Sequence, residues 1–139
     1  MINTKLTRKA MIIAYEAHKN QVDKSGVPYI YHPIHVAEQM DTENECIIAL
    51  LHDVVEDTNV TFKQLEEVFS KEIIDILKLL TREENIEYDE YIKRIKNNSI
   101  ACKVKIADLT HNLDKTRLDF VTEVDVKRNE KYKKALQIL

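Results

Sequence analysis

Cys46-Ile47-Ile48-Ala49-Leu50-Leu51-His52-Asp53-Val54-Val55-Glu56-Asp57 is the stretch that decides how the rest of the chain is read. As a helix turning about 100° per residue, it places Glu56 about 40°, Asp53 about 100° and Asp57 about 140° from His52. Ile47, Ile48, Leu51, Val54 and Val55 fill the opposite arc. The expectation is one continuous helix, opened by a capping box at Thr42-Glu43-Asn44-Glu45 and running to about Asp57. It bears a narrow ridge of one histidine and three carboxylates. The ridge sits at the C-terminal end, where the helix dipole disfavours negative charge. Acids crowded there need a cation or a basic partner. On its own, a solvated acidic face accounts for this ridge as well as a functional one does.

Working outward, the chain is helix-forming throughout. Its 139 residues are 44% apolar and 32% charged, with one Gly, two Pro and no Trp. Turn formers are scarce and good helix formers dominate. Leu6, Ala10, Ile13, Ala14 and Ala17 give an apolar stripe from about Lys5 to Asn20. Pro33 suits the first turn of a short helix reaching Met40. Thr61-Phe62-Lys63-Gln64 is a capping box, and Ser70, Ser99 and Thr122 are candidate caps of later helices. Another helix is expected from Tyr88 to about Asn97. No segment alternates with period two. The reading is an all-α fold of seven or eight helices, a compact single domain over residues 1–139.

Several function classes are set aside. The net charge of −3, with acids and bases interspersed, offers no basic face for a nucleic-acid polymer. No stretch is long and apolar enough to span a bilayer, and Met1 to Arg8 lacks a leader pattern, so a cytoplasmic protein is expected. Cys46 and Cys102 lack zinc-type spacing and read as buried free thiols. The oligomeric state is open.

The ridge gains meaning from two distant features. His32 precedes Pro33 in the one clear loop, Lys24 to Pro33, which holds the only Gly and both Pro residues. Far downstream, Asp108 and Asn112 lie at i and i+4 in Lys105-Ile106-Ala107-Asp108-Leu109-Thr110-His111-Asn112-Leu113. Two imidazoles and two carboxylates make a mixed nitrogen–oxygen donor set, which suits Mn²⁺, Fe²⁺ or Zn²⁺ better than Ca²⁺. Such an ion lowers the pKa of bound water and neutralises phosphoryl oxygens. Glu56 or Asp57 could then position or deprotonate the water.

These residues carry a family resemblance. Ala17-His18, Gln21 and Lys24-Ser25-Gly26-Val27-Pro28-Tyr29-Ile30-Tyr31-His32-Pro33-Ile34-His35-Val36-Ala37 form a first motif. Ala49-Leu50-Leu51-His52-Asp53-Val54-Val55-Glu56-Asp57-Thr58 forms a second, and Lys105 to Leu113 a third. Across roughly residues 5 to 118 the chain resembles the HD hydrolase domain of RelA/SpoT-type alarmone enzymes, especially the short stand-alone forms. The motifs agree with that family in order, spacing and flanking residues.

The resemblance implies an HD-type helical bundle holding one Mn²⁺ on His32, His52, Asp53 and Asp108. It implies catalytic roles for Glu56 and Asp57, and a supporting role for Asn112 at the substrate or the bound water. The implied reaction removes the 3′-pyrophosphate from ppGpp or pppGpp, a role in the stringent response. By position, Lys24, Lys105 and Arg117 are candidate cations for the phosphorylated nucleotide, with Lys24, Asn112 and Arg117 the substrate-binding set. His18, His35 and His111 are expected to pack or buttress, and Tyr29 and Tyr31 to line a base pocket or to pack the loop.

The match departs at Asp23, where the family usually has an arginine that helps hold guanine. A carboxylate cannot stack as a guanidinium does, and it repels phosphate. Asn20 replaces a usual Gly, and Asn112-Leu113-Asp114 stands for Asn-Met-Arg. Two alternatives therefore stay open: hydrolysis of another nucleotide, and nucleotide binding without turnover. Retention of Glu56, Asp57 and Asn112 argues against the latter.

Overall fold

A computed structural model describes residues 1–139. Helices form wherever a polar cap meets an apolar stripe. Thr4 caps α1 (Lys5–His18), accepting from the Thr7 N–H while Thr7 returns the bond. Thr61 and Gln64 do the same at α5 (Phe62–Glu66), and Thr122 and Asp125 at α9 (Glu123–Ile138). Ser70 caps α6 (Lys71–Leu80) through the Ile73 N–H. These reciprocal bonds satisfy backbone donors that a helix start leaves free.

The middle of the fold is α3 (Glu43–Leu51), whose residues Cys46 to Leu51 are all buried. A helix that is apolar all round must be enclosed on every side. Here α1, α2 (Tyr31–Glu38), α6 and α8 (Ser99–Asn112) surround it. Burying each Leu or Ile of this helix is worth about 1.5–3 kcal/mol. α7 (Tyr88–Lys96) and α9 close the far side against α8. Ala135 is buried, and Tyr132, Leu136 and Leu139 pack on the core beside it.

Four expectations are corrected. The helix expected over 46–57 is two: α3 ends at Leu51 and α4 (Val54–Asp57) begins after a turn at His52-Asp53. The cause is local. The His52 Nδ1 bonds the Ala49 carbonyl at 2.6 Å, the acceptor that the Asp53 N–H would use in a continuous helix. Thr42 caps α3, but Glu45 turns back to the Asp41 N–H and to Lys103 rather than closing a box. Asn98, not Ser99, caps α8, accepting from the Ala101 N–H at 2.9 Å. Cys46 is buried, whereas Cys102 is only half-buried. With the break counted there are nine α-helices, and a 3₁₀ turn at Lys115–Arg117. The fold is all-α; an isolated bridge between Val22 and Pro28 is the one β-type pairing.

That bridge belongs to the loop between α1 and α2. Asp23 builds it: Oδ1 accepts from the Ser25 and Val27 N–H groups at 2.8 and 3.0 Å. Gly26 sits at φ 82°, where a side chain would be strained. The loop is fastened from outside by the Lys24–Asp125 ion pair and by the Ser25 hydroxyl, which donates to the Arg117 carbonyl at 2.6 Å. No helix is long and apolar enough to cross a membrane.

Candidate metal centre

Three elements converge at one point. α2 brings His32, the α3–α4 turn brings His52 and Asp53, and α8 brings Asp108. One ligand atom from each lies within 4.8 Å of all the others. His32 Nε2 is 2.9 Å from Asp108 Oδ1 and 3.8 Å from Asp53 Oδ2. His52 Nε2 is 3.0 Å from Asp53 Oδ2 and 3.5 Å from Asp108 Oδ1. Both histidines and Asp108 are buried.

The donor set fits a divalent ion. His52 Nδ1 donates to the Ala49 carbonyl, which leaves Nε2 as the nitrogen that faces the carboxylates. Although it is close to both, neither contact has hydrogen-bond geometry, and this buried nitrogen has no partner. Nature rarely leaves such an atom unpaired; a cation among these four atoms would satisfy it. Outer partners hold the carboxylates. Tyr29 donates to Asp53 Oδ2 at 2.5 Å, Lys105 bonds Asp108 Oδ2 at 2.8 Å, and the Asn112 amide donates to Asp108 Oδ1 at 3.0 Å.

The electrostatics follow this geometry. Burial alone would raise Asp108, but Lys105, His32 and His52 outweigh it and hold the carboxyl well below its usual range. Burial would lower His52, yet Asp53 and Asp108 raise it well above the ordinary imidazole value. Lys105 is likewise held charged by Asp108 against its own burial. The pocket is thus built for positive charge at its centre. Burial raises the Tyr29 phenol, with the Asp53 charge adding to it, so Tyr29 stays a donor.

A second acidic group shares Asp53. The carboxylates of Asp53, Glu56 and Asp57 also lie within 4.8 Å of one another. The break in the helix therefore preserves their clustering. Glu56 Oε1 is held by the Arg82 N–H at 2.9 Å, which ties the 81–87 loop to the site. Partial burial, then the charges of Asp53 and Glu56, push Asp57 up to about 6. Thr58 caps α4, donating to the Val54 carbonyl.

The expected substrate-binding residues fall differently. Asn112 and Arg117 stand together beside Asp108, with Arg117 Nη1 donating to the His111 carbonyl at 2.9 Å and lying 3.4 Å from Asn112 Oδ1. Lys24 turns away to Asp125. All three nonetheless line one cavity of about 220 Å³ with Tyr29 and Arg128. A neighbouring cavity of about 350 Å³ is lined by Tyr29, Tyr31, His32, His35 and His111. Asp23 and Arg117 border both. Lys105, a candidate cation for substrate, is spent on Asp108.

Gln21 stands in the first motif, but the sequence assigned it no role. Its side chain bridges His18 Nδ1, at 2.7 Å, and the Asp57 carbonyl, at 2.9 Å. It thereby clamps the end of α1 to the acidic turn. Nor did it weight His111, whose Nδ1 lies 2.8 Å from His32 Nδ1. Its signal was present: His111 falls one turn after Asp108 on the same helix.

Residues 10–120 match the family model of an HD domain. The chain belongs to the HD-domain hydrolase family of the RelA/SpoT type. Among HD-domain relatives, it is 35% identical over 124 residues to the guanosine-3′,5′-bis(diphosphate) 3′-pyrophosphohydrolase MESH1 of Danio rerio, covering 80% of this chain and 69% of that protein. It is 31% identical over 124 residues to the bifunctional (p)ppGpp synthase/hydrolase SpoT of Escherichia coli (strain K12), covering 78% of this chain. The match spans only 18% of SpoT, so the likeness concerns one part of that protein. The fold is also that of a solved metazoan orthologue of SpoT described as hydrolysing ppGpp, with TM-score 0.83 and 24% identity, over 99% of this chain and 87% of that one. HD hydrolases depend on metal, and the cluster above is where this HD chain could hold one.

Proposed function

We propose that this chain is a metal-dependent phosphohydrolase that removes pyrophosphate from the 3′ position of guanosine bearing diphosphates at its 3′ and 5′ positions. The observation that carries the reading is the sharing of Asp53 between two groups: the four-residue nitrogen–oxygen set and the Asp53–Glu56–Asp57 acids. A cation site with a pair of carboxylates beside it is what phosphoryl hydrolysis asks of a protein. The names of MESH1 and SpoT support the same substrate.

In this reading His32, His52, Asp53 and Asp108 hold one Mn²⁺, and residues 1–139 act as one hydrolase domain. When bound, the ion supplies Lewis-acid polarisation of phosphoryl oxygen. Glu56 and Asp57 orient the attacking water and take its proton. The water's oxygen joins the phosphorus nearest the ribose, the bond from that phosphorus to the 3′ oxygen breaks, and the 3′ oxygen leaves with a proton. Asn112 and Arg117 position the nucleotide, and Lys24, paired with Asp125, adds to the lining of the same cavity. The substrate is a small nucleotide, the setting cytoplasmic, and the physiology that of the stringent response.

Asp23 favours a second reading of the substrate, not of the chemistry. Its carboxylate borders both cavities, so a nucleotide other than guanosine is the competing occupant. The test is Mn²⁺-dependent pyrophosphate release from ppGpp beside a panel of other nucleotides, with His52→Ala and Glu56→Ala as controls. Release from ppGpp that both variants abolish is the expected result. Turnover of another nucleotide alone would move the substrate, and no turnover of any would overturn the reading.

A further inference from the structure

The two neighbouring cavities differ in character. The larger is walled by Val27, Pro28, Ile34 and Tyr31, which suits a flat, weakly polar ring. The smaller is lined by Lys24, Asn112, Arg117 and Arg128, and the buried Arg128 Nε has no partner. Such a lining suits phosphate. The base of a nucleotide therefore belongs in the larger cavity and a phosphate group in the smaller. Asp23 and Arg117 stand at the junction, since both border both cavities.

Both side chains are held in place by one end and free at the other. Asp23 Oδ1 accepts from the Ser25 and Val27 N–H groups, and the Asp23 N–H donates to the Val27 carbonyl at 2.8 Å. Oδ1 is thereby filled, and Oδ2 keeps its acceptor capacity. Arg117 Nη1 is engaged by the His111 carbonyl and faces Asn112 Oδ1, and the Arg117 carbonyl takes the Ser25 hydroxyl. Nη2 is left 3.7 Å from Asp23 Oδ2, too far for a hydrogen bond. The two side chains are only 20% and 24% exposed, so hydrogen bonds to them are little weakened by water. An anionic acceptor and a cationic donor thus stand side by side with capacity unspent. Their charges offset one another, which gives the pair little pull on a phosphate. It matches instead a neutral ring whose edge carries an acceptor beside donors.

We infer that Asp23 is a specificity-determining residue: its Oδ2 accepts from the N1–H and N2–H of guanine while Arg117 Nη2 donates to O6. Guanine is the base whose edge offers two adjacent donors beside an acceptor. Adenine offers one donor and one acceptor, so it meets the pair with one bond fewer. Cytosine and uracil have no two adjacent donors. A site built to bond a substrate N–H discriminates sharply against the analogue lacking it. The carboxylate that sets other nucleotides in competition with guanosine then decides for guanosine. The inference rests on the nucleotide reading above and deepens it, but base preference is a property of binding and can be measured apart from hydrolysis.

The experiment is calorimetric titration of the full, metal-free chain with the 3′,5′-bis(diphosphates) of guanosine, inosine, xanthosine and adenosine, which share their phosphates and differ in the base edge. Inosine lacks only the 2-amino group. Its compound is expected to bind about 10–100-fold more weakly than that of guanosine, the worth of one hydrogen bond to a charged group. Asp23→Asn keeps the Oδ1 acceptor that shapes the loop and turns Oδ2 into an N–H donor. It should erase the guanosine-over-inosine preference and favour xanthosine, which carries an oxygen at position 2. Equal affinity for the guanosine and inosine compounds in the unaltered protein would overturn the inference, whether or not the variant folds. So would a guanosine preference that survives in folded Asp23→Asn, or tighter binding of the adenosine compound. Guanosine-selective binding without Mn²⁺-dependent release of pyrophosphate would uphold the inference and overturn the reaction. Binding of none of the four would overturn both.

Discussion

His52 Nδ1 lies 2.6 Å from the Ala49 carbonyl oxygen, and that contact both ends α3 and aims Nε2 at Asp53. One side chain therefore sets the backbone turn and the chemistry. Removing the imidazole should abolish the contribution of any bound ion to stability. In the unaltered protein, Mn²⁺ at 100 times its dissociation constant should stabilise the fold by about 2.7 kcal/mol. In His52→Ala the same addition should leave the thermal midpoint unmoved. Differential scanning calorimetry with and without Mn²⁺ checks both, and a metal-induced rise retained in His52→Ala would place the ion elsewhere.

Tyr29→Phe isolates an outer partner. The phenol donates to Asp53 Oδ2 and belongs to the loop that Asp23 and Gly26 shape. The substitution keeps the ring and its packing on His18, whose centroid lies 4.9 Å away. The expected result is Mn²⁺ affinity weaker by about tenfold or more, with stability changed by about 1 kcal/mol or less. Calorimetric titration measures the first and urea unfolding the second. Unchanged affinity would mean that Asp53 is held adequately without the phenol.

Much of this architecture is legible along the chain, and the parts that are not have local causes. The stripe of α1 and the caps Thr61, Ser70 and Thr122 show plainly, because each depends on residues within one or two turns. The break at His52 does not, since apolar periodicity runs on through Val54 and Val55 while a side chain competes for one carbonyl. Asn98 and Ser99 are both good caps, and periodicity cannot separate neighbours. Asp23 reads as an electrostatic misfit from the sequence; in the fold it is the residue that shapes the loop. The four candidate ligands stand out by residue type and by motif. The His32–His111 bond does not, because its partners are 79 residues apart.

Lys105 joins the acidic centre to the core. Its side chain is 13% exposed and that of Asp108 6%, with 2.8 Å between charged atoms. Breaking such a buried pair leaves a charge without compensation, at a cost of about 3–5 kcal/mol. Lys105→Met should therefore destabilise the metal-free protein by about that amount in urea. Mn²⁺ should narrow the gap, because a cation on Asp108 replaces the lost ammonium. A loss below about 1 kcal/mol would mean that water already screens the pair.

Asp57 sets a pH dependence whose sign can be worked out. Partial burial and the neighbouring charges of Asp53 and Glu56 raise it from 3.8 to about 6 in the folded chain. A carboxyl raised on folding favours the fold while protonated, below its unfolded value near 4. That contribution is lost as pH rises through about 6, where Asp57 ionises among like charges. Asp57→Asn removes the repulsion. The metal-free variant should match the unaltered protein near pH 4 and exceed it above pH 7. Because Asp57 is exposed at the surface, screening should hold the gain to about 1 kcal/mol or less. Adding Mn²⁺ should shrink it further, since a cation beside Asp53 offsets the same repulsion. The activity of the variant should fall throughout, because Asn cannot take a proton from water. Thermal midpoints from pH 4 to pH 8, with and without Mn²⁺, make the measurement; a gain greatest at pH 4 would reverse the assigned sign.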